Sequence, residues 1–194
     1  MKKLFIIAAA LVVFATAGHA QTSEMALRAD IKNDDHTESS IKKEKREERK
    51  ALRKLEGNEV SYQSRQAFYL DFGKIAGTKW DRLKNFDRAS FTKNGHEIEA
   101  FYDSDSKLVG TTTAKTFSDL PAKARKYIDA KYPDYHKVAV TFFDDNEYNE
   151  TDMILYNQQF QDADNYFVEL KKGDKKIVLQ VNMLGNVFFF TSFK

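Results

Sequence analysis

From residue 61 onward the chain alternates twice between one stretch of helical period and a run of stretches with period two, a pattern that restricts its fold more than any single motif does. Residues 61–75 place Tyr62, Phe68, Tyr69, Phe72 and Ile75 at helical spacing behind Ser61, a good N-cap residue, and ahead of Gly77. The period then drops. Residues 80–86 and 89–93 read as strands, Asn94-Gly95 is the dipeptide that accepts positive φ at both centres of a tight hairpin, and 97–103 and 107–113 form a further pair joined by Ser104-Asp105-Ser106. A second helix follows, with Ser118 and Asp119 available as caps, Pro121 in its first turn, where a missing N–H costs little, and Tyr132-Pro133 at its end. Its face is Leu120, Ala124, Tyr127, Ile128 and Lys131. Strands are expected after it at 137–143, 153–160, 166–171, 175–182 and 186–193.

Helix then strands, twice over, suggests a duplication, and an offset of 79 lays Ile98, Ala100 and Tyr102 on Ile177, Leu179 and Val181, and Lys107-Leu108 on Asn186-Val187. The expected fold class is therefore α+β: two helix-plus-antiparallel-hairpin repeats, about 61–116 and 117–194, sharing one curved antiparallel sheet with both helices on one face. Strand parity sends Ile98, Ala100, Tyr102, Ile177, Leu179, Val181 and Val187 toward the helices. Phe101, Val109, Val178, Phe188 and Phe190 then fall on the opposite face. Left bare, these five form an apolar patch of the kind that marks binding sites; a covering helix or strand is the alternative.

The residues ahead of this domain, 57–194, carry the signals of export. Lys2 and Lys3, an apolar run of about fourteen residues from Leu4, and the small residues Ala17, Gly18 and Ala20 follow the order of a cleavable signal peptide over 1–20. The run is shorter than the roughly twenty residues of a membrane span, so no span is expected after cleavage. Residues 21–40 are polar and aperiodic, a disordered leader. Residues 41–56, IKKEKREERKALRKLE, are strong helix formers whose large apolar side chains are Ile41, Leu52 and Leu55. This charged arm is either solvated or a basic strip (Lys42, Lys43, Lys45, Arg46, Arg49, Lys50) for an acidic partner or the envelope surface.

The signal holds two of the 31 Lys and Arg and none of the 29 Asp and Glu, so cleavage leaves the charges balanced. A neutral protein has little electrostatic attraction for nucleic acid, and none is expected as partner. There is no cysteine, which excludes disulfides, thiolate metal sites and lipid attachment through cysteine.

No constellation carries catalytic chemistry. His19, His36, His96 and His136 are scattered, with no pair at metal-ligand spacing on one element. A Gly-x-Ser-x-Gly elbow and a Gly-rich phosphate loop are both missing from the sequence, and no cofactor is implied. Asp144, Asp145, Glu147, Glu150 and Asp152 offer oxygen ligands, yet without the spacing or central glycine of an EF-hand loop; a solvated loop is the plainer reading and a calcium-dependent module the alternative. Asp103 and Asp105 are explained by turn chemistry.

Several segments carry a resemblance: Ala89-Ser90-Phe91, Ile98 through Asp103, Thr113 through Leu120-Pro121 into the helix ending Tyr132-Pro133, and YFVELKKGDKKIVLQVNMLGNVFFF with its turn at Leu184-Gly185-Asn186. Together they resemble the exported PepSY-like, beta-lactamase-inhibitor-like proteins of Bacteroidetes-type bacteria. The resemblance runs from about Trp80 onward and implies the two-layer fold and an exported location, with no catalytic residue. The expected function is thus a non-enzymatic binding module, periplasmic or secreted, contacting a protein or peptide of the cell envelope through the open sheet face around Phe101, Phe188 and Phe190. A structural or stress-related envelope protein acting through its charged arm is the alternative. Signal processing after Ala20 gives a mature chain beginning at Gln21, which intact-mass measurement of the exported protein checks; a mass retaining residues 1–20 would reject the assignment.

Overall fold

The computed structural model describes Glu48, Ala51, Leu55, Gly57 and the continuous stretch 59–193. Two units separate at Gly57. In the first, Glu48, Ala51 and Leu55 are helical and Gly57 turns with φ 61°. The signal peptide, the leader and the remainder of the charged arm lie outside the described residues. Among the described residues no helix is long and apolar enough to cross a membrane.

In the second unit Ser61 caps helix α1 (Tyr62–Phe72), accepting a hydrogen bond from the Ser64 N–H at 2.9 Å, and Gly73 ends it with φ 81°. The helix stops earlier than the expected 61–75, and Tyr62 and Tyr69 point to solvent; its buried stripe is Ser64 and Phe68, with Ala67 and Phe72 beside them. Four strands follow: β1 (Lys79–Arg82), β2 (Asp87–Lys93), β3 (His96–Tyr102) and β4 (Leu108–Lys115). The expected strand at 80–86 is cut short because the chain turns at 83–86, where the Leu83 N–H donates to the Phe86 carbonyl at 2.8 Å. Asn94 and Gly95 take φ 54° and 80° in the expected tight turn.

A 3-10 turn, Phe117–Asp119, precedes α2 (Ala122–Lys131). The cap expected of Ser118 and Asp119 is instead a capping box between Thr116 and Asp119, and Pro121 stands just ahead of the helix, not inside it. The chain continues through β5 (His136–Asp145), β6 (Met153–Leu155), β7 (Gln158–Phe160), β8 (Asn165–Lys172), β9 (Lys175–Asn182) and β10 (Val187–Phe193). The expected strand at 153–160 is a hairpin, because Tyr156 and Asn157 adopt φ 52° and 60° and fold β7 back on β6.

Eight strands form one antiparallel sheet in the order β1-β2-β3-β4-β5-β8-β9-β10, with β6-β7 a separate pair. The register runs Ala100 to Thr111 across β3–β4 and, two residues along β4, Thr113 to Phe142, Phe142 to Tyr166 and Tyr166 to Val181. One face therefore holds both Ala100, packed with Phe68 of α1, and Val181, packed with Ala124 and Ile128 of α2. Both helices cover the same side. Ile98, Ala100, Tyr102, Ile177, Leu179, Val181 and Val187 all join these two helix-side clusters, as parity requires.

The start of α1 is tied to the sheet through one buried carboxylate. Asp87, 3 % exposed, accepts from the Ser61 N–H (3.1 Å) and the Ser64 hydroxyl (2.8 Å) and pairs with Arg82 at 3.1 Å. Removing it takes away the acceptor shared by two donors and the carboxylate partner of a mostly enclosed guanidinium. Asp87→Ala should cost about 3 kcal/mol in urea unfolding, with Asp87→Asn milder; an unchanged midpoint would show the network to be dispensable.

Candidate functional site

The second face of the sheet is divided obliquely across the strands. Toward one corner Phe101, Val109, Phe143, Phe167 and Val178 form an apolar floor. Alongside it Ser90, Glu99, Thr112, Thr141 and Glu169 continue the same face, with Thr112, Thr141 and Glu169 directly opposite Phe143, Phe167 and Val178 on the neighbouring strands, and Arg88 bridges Asp81 (2.9 Å) and Glu99 (3.0 Å). Beside this polar part is a cleft of about 500 Å³ lined by Lys79, Ser90, Thr92, Glu97, Glu99 and Thr112 among others.

The apolar part is roofed by the connection from β5 to β8, a flap that carries β6 and β7. Met153 and Phe160 are almost wholly enclosed against the floor, with Phe160 5.1 Å from the ring of Phe143 and 4.8 Å from that of Phe167. Polar stitches hold the descending leg: the Asn146 and Asn149 amides donate to the Leu108 carbonyl at 2.7 and 3.0 Å, and Asn149 and Thr151 donate to Asp103 at 3.1 and 3.3 Å. At the tip the Tyr156 hydroxyl donates to Glu169 at 2.9 Å while its ring stacks on Phe193 at 6.3 Å. Burial, then the Glu169 charge, pushes the Tyr156 phenol well above its ordinary value, so this contact is made by the neutral phenol.

The five residues expected to form an open patch do share this face, but the face is not open. Phe101, Val109 and Val178 are 3 %, 0 % and 0 % exposed beneath the flap and belong to the core. Phe190 is half-buried, its ring 4.9 Å from Phe167 at the margin of the roof. Phe188 alone of the five is exposed, at 52 %. The correction follows from residues 146–164, whose apolar members Met153, Ile154, Leu155 and Phe160 supply the cover.

What the sequence reading did not single out is Phe189, 62 % exposed, and Phe193, 37 % exposed. They lie on β10, which among the described residues has a neighbour on one side only. Alternation holds across the three phenylalanines, with Phe189 facing the helix side opposite Leu179 while Phe188, opposite Gln180, and Phe190 turn to the flap side; the bulge between Phe189 and Thr191 breaks it only after Phe190, where Thr191 pairs with Val178. The run of three phenylalanines was the available signal.

The acidic residues 144–152 do not gather as a set. Asp152 accepts from Gln159 at 2.6 Å, and among the described residues no group of three His, Asp or Glu is placed to hold a metal ion. His96 and His136 are both exposed. Asp103 serves its turn, taking the Asp105 and Lys107 N–H groups at 2.8 and 3.0 Å.

Solved structures with the same chain path include a Bacteroides fragilis protein described as BLIP-like, that is, beta-lactamase-inhibitor-like: 17 % identical, TM-score 0.52, covering 69 % of this chain and 86 % of that one. The fold is BLIP-like. A DUF2874 family protein of Bacteroides uniformis matches at 14 % identity and TM-score 0.57, covering 69 % of this chain and 90 % of its own. A Bacteroides eggerthii protein, ascribed provisionally to the periplasm, matches at 17 % and 0.56, covering 69 % and 89 %. No family model and no curated protein sequence matches the chain. At these identities the BLIP-like likeness establishes architecture, and function has to be argued from the site.

In this BLIP-like domain the flap is held by aromatic packing more than by its few strand hydrogen bonds. Phe160→Ala should therefore cost about 3–5 kcal/mol and increase hydrogen exchange in β6 and β7 before β8 and β9; a loss below about 1 kcal/mol would show the roof to be loosely seated.

Proposed function

We propose that the chain is an exported, non-enzymatic binding module that takes an extended segment of a partner protein or peptide along the outer edge of β10. One observation carries this reading: the two edges of the sheet have opposite characters. β1 is four residues long, and the exposed Lys79 and Asp81 make it a charged edge of the kind that discourages pairing. β10 is seven residues long, carries no charge, and exposes Phe188 on one face and Phe189 on the other.

An added strand would satisfy the free backbone groups of that edge and lie between the two rings, the mode of recognition known as β-augmentation. Each half-exposed phenylalanine has roughly 100 Å² left to bury, which at about 25 cal/mol per Å² stabilises a complex by about 2.5 kcal/mol per ring. The bulge at Phe189/Thr191 shortens the regular part of the edge, so it suits one short strand better than indefinite stacking. The export signals at residues 1–20 and the provisionally periplasmic neighbour support a partner in the cell envelope. The same reading takes the two helix-plus-four-strand halves as copies of one unit.

The test compares the chain with a Phe188→Ser, Phe189→Ser double variant in affinity capture from an envelope fraction, after thermal melting has shown both to be folded. A partner held by the first and lost by the second, with recovery down at least about tenfold, supports the edge. Equal recovery of that partner by a folded double variant removes β10 as the site.

A further inference from the structure

The two legs of the flap meet at a carboxyl cluster that the proposed binding edge does not use. Asp145 closes β5, where the chain leaves the sheet, and Asp162 and Asp164 lie where it returns to β8. The Asp145 backbone N–H donates to Asp164 Oδ1 at 2.9 Å, which already ties leg to leg. Oδ1 of Asp145 and Oδ1 of Asp162 are both enclosed and receive no N–H or hydroxyl donor from the described residues. Both side chains line the same hollow of about 430 Å³. Two enclosed carboxylate oxygens on opposite legs, with no donor supplied to either, are satisfied when a single proton is shared, because an ionised carboxylate has acceptors and no donor.

We propose that Asp145 and Asp162 form a proton-sharing clasp across the two legs of the flap, and that loss of the shared proton frees the flap from the apolar floor. The surroundings give the clasp its sensitivity. Asp164 and Asp144 add like charge on the two legs, Glu147 lines the same 430 Å³ hollow, and the β9–β10 turn contributes Asn182, Met183 and Leu184, which are uncharged. Lys115 of β4 is the cation within reach, and it acts on Asp144. Nothing cationic among the groups lining the hollow offsets a second charge on the pair.

Burial first, then the neighbouring Asp162 side chain and the charges of Asp162 and Asp164, push the Asp145 carboxyl up to about 7, with the Asn146 N–H acting in the opposite direction. Asp144 is raised too, by burial and by Asp164. A carboxyl that binds its proton more tightly in the closed flap than in the open one favours closure at acid pH. That preference is full below the ordinary carboxylate value of about 4, declines as pH climbs toward about 7, and is absent above it.

Hydrogen exchange of the amides of β6 and β7, corrected for the intrinsic pH dependence, reads the opening directly. For the purified chain we expect protection there to fall by roughly tenfold or more between pH 5 and pH 8, with β8 and β9 unchanged. Asp145→Asn and Asp162→Asn each replace the shared proton with a permanent amide donor and should flatten the profile. Flat protection in the unmodified chain, or a fall that persists unaltered in both variants, overturns the clasp. Carboxyl carbon NMR of the unmodified chain gives an answer even if a variant does not fold: titration of Asp145 near 7 is expected, and a midpoint near 4 rejects the proposal.

Discussion

The pairing of β4 with β5, from Gly110 opposite Asp145 to Lys115 opposite Val140, joins two four-stranded halves into one sheet, and its register decides what each face can bury. Side chains alternate along a strand, so a slip by one residue would send Phe143 toward the helices and Val140 toward the flap. Gly110 enforces the register sterically. A Cβ there would stand 2.6 Å from the ring of Phe143 and 2.6 Å from the Asp144 carbonyl, so the aromatic ring fits under the flap only because that position has no side chain. Every later feature inherits this alignment: both helices on one side, the aromatic floor on the other.

Much of this architecture was legible because period and turn chemistry are local. Asn94-Gly95 fixed a hairpin, Ile98 through Tyr102 and Ile177 through Val181 alternated cleanly, and the helix at Ala122–Lys131 declared itself by its apolar stripe. What was not legible depended on distant partners. The sequence assigned Phe101, Val109 and Val178 to the correct face, but whether a face is bare depends on where a connection 14 to 63 residues away comes to rest. The Tyr156-Asn157 turn was readable in principle, since Asn tolerates positive φ, but Tyr at the first position concealed it. The edge position of β10 needed the whole strand order.

The flap answers a problem that the sheet itself creates. An antiparallel sheet can keep one face wet when its outward residues are polar, and the part carrying Ser90, Thr92, Glu97 and Glu99 does so. The part carrying Phe101, Val109, Phe143, Phe167 and Val178 cannot, since an uncovered patch of that size drives association. Residues 146–164 resolve this with two three-residue strands and four apolar side chains, a small cover. Strands that short contribute few ladder hydrogen bonds, so the seating of Met153 and Phe160 and the ties at the two legs decide whether the cover stays down.

The same economy governs the margins. Phe190 and Phe193 stand where the flap meets the edge strand, packing on Phe167, Phe160 and Tyr156, so the condition of the roof is felt at β10. If the flap lifts, Phe190 loses the ring of Phe160 and Phe193 loses that of Tyr156, and the flap-side wall of the edge changes shape. Phe189, on the helix side opposite Leu179, keeps its place. The proposed edge therefore has one wall fixed by the sheet and one fixed by the flap, which gives a carboxyl pair at the foot of the flap a physical route to the surface where a partner strand would lie.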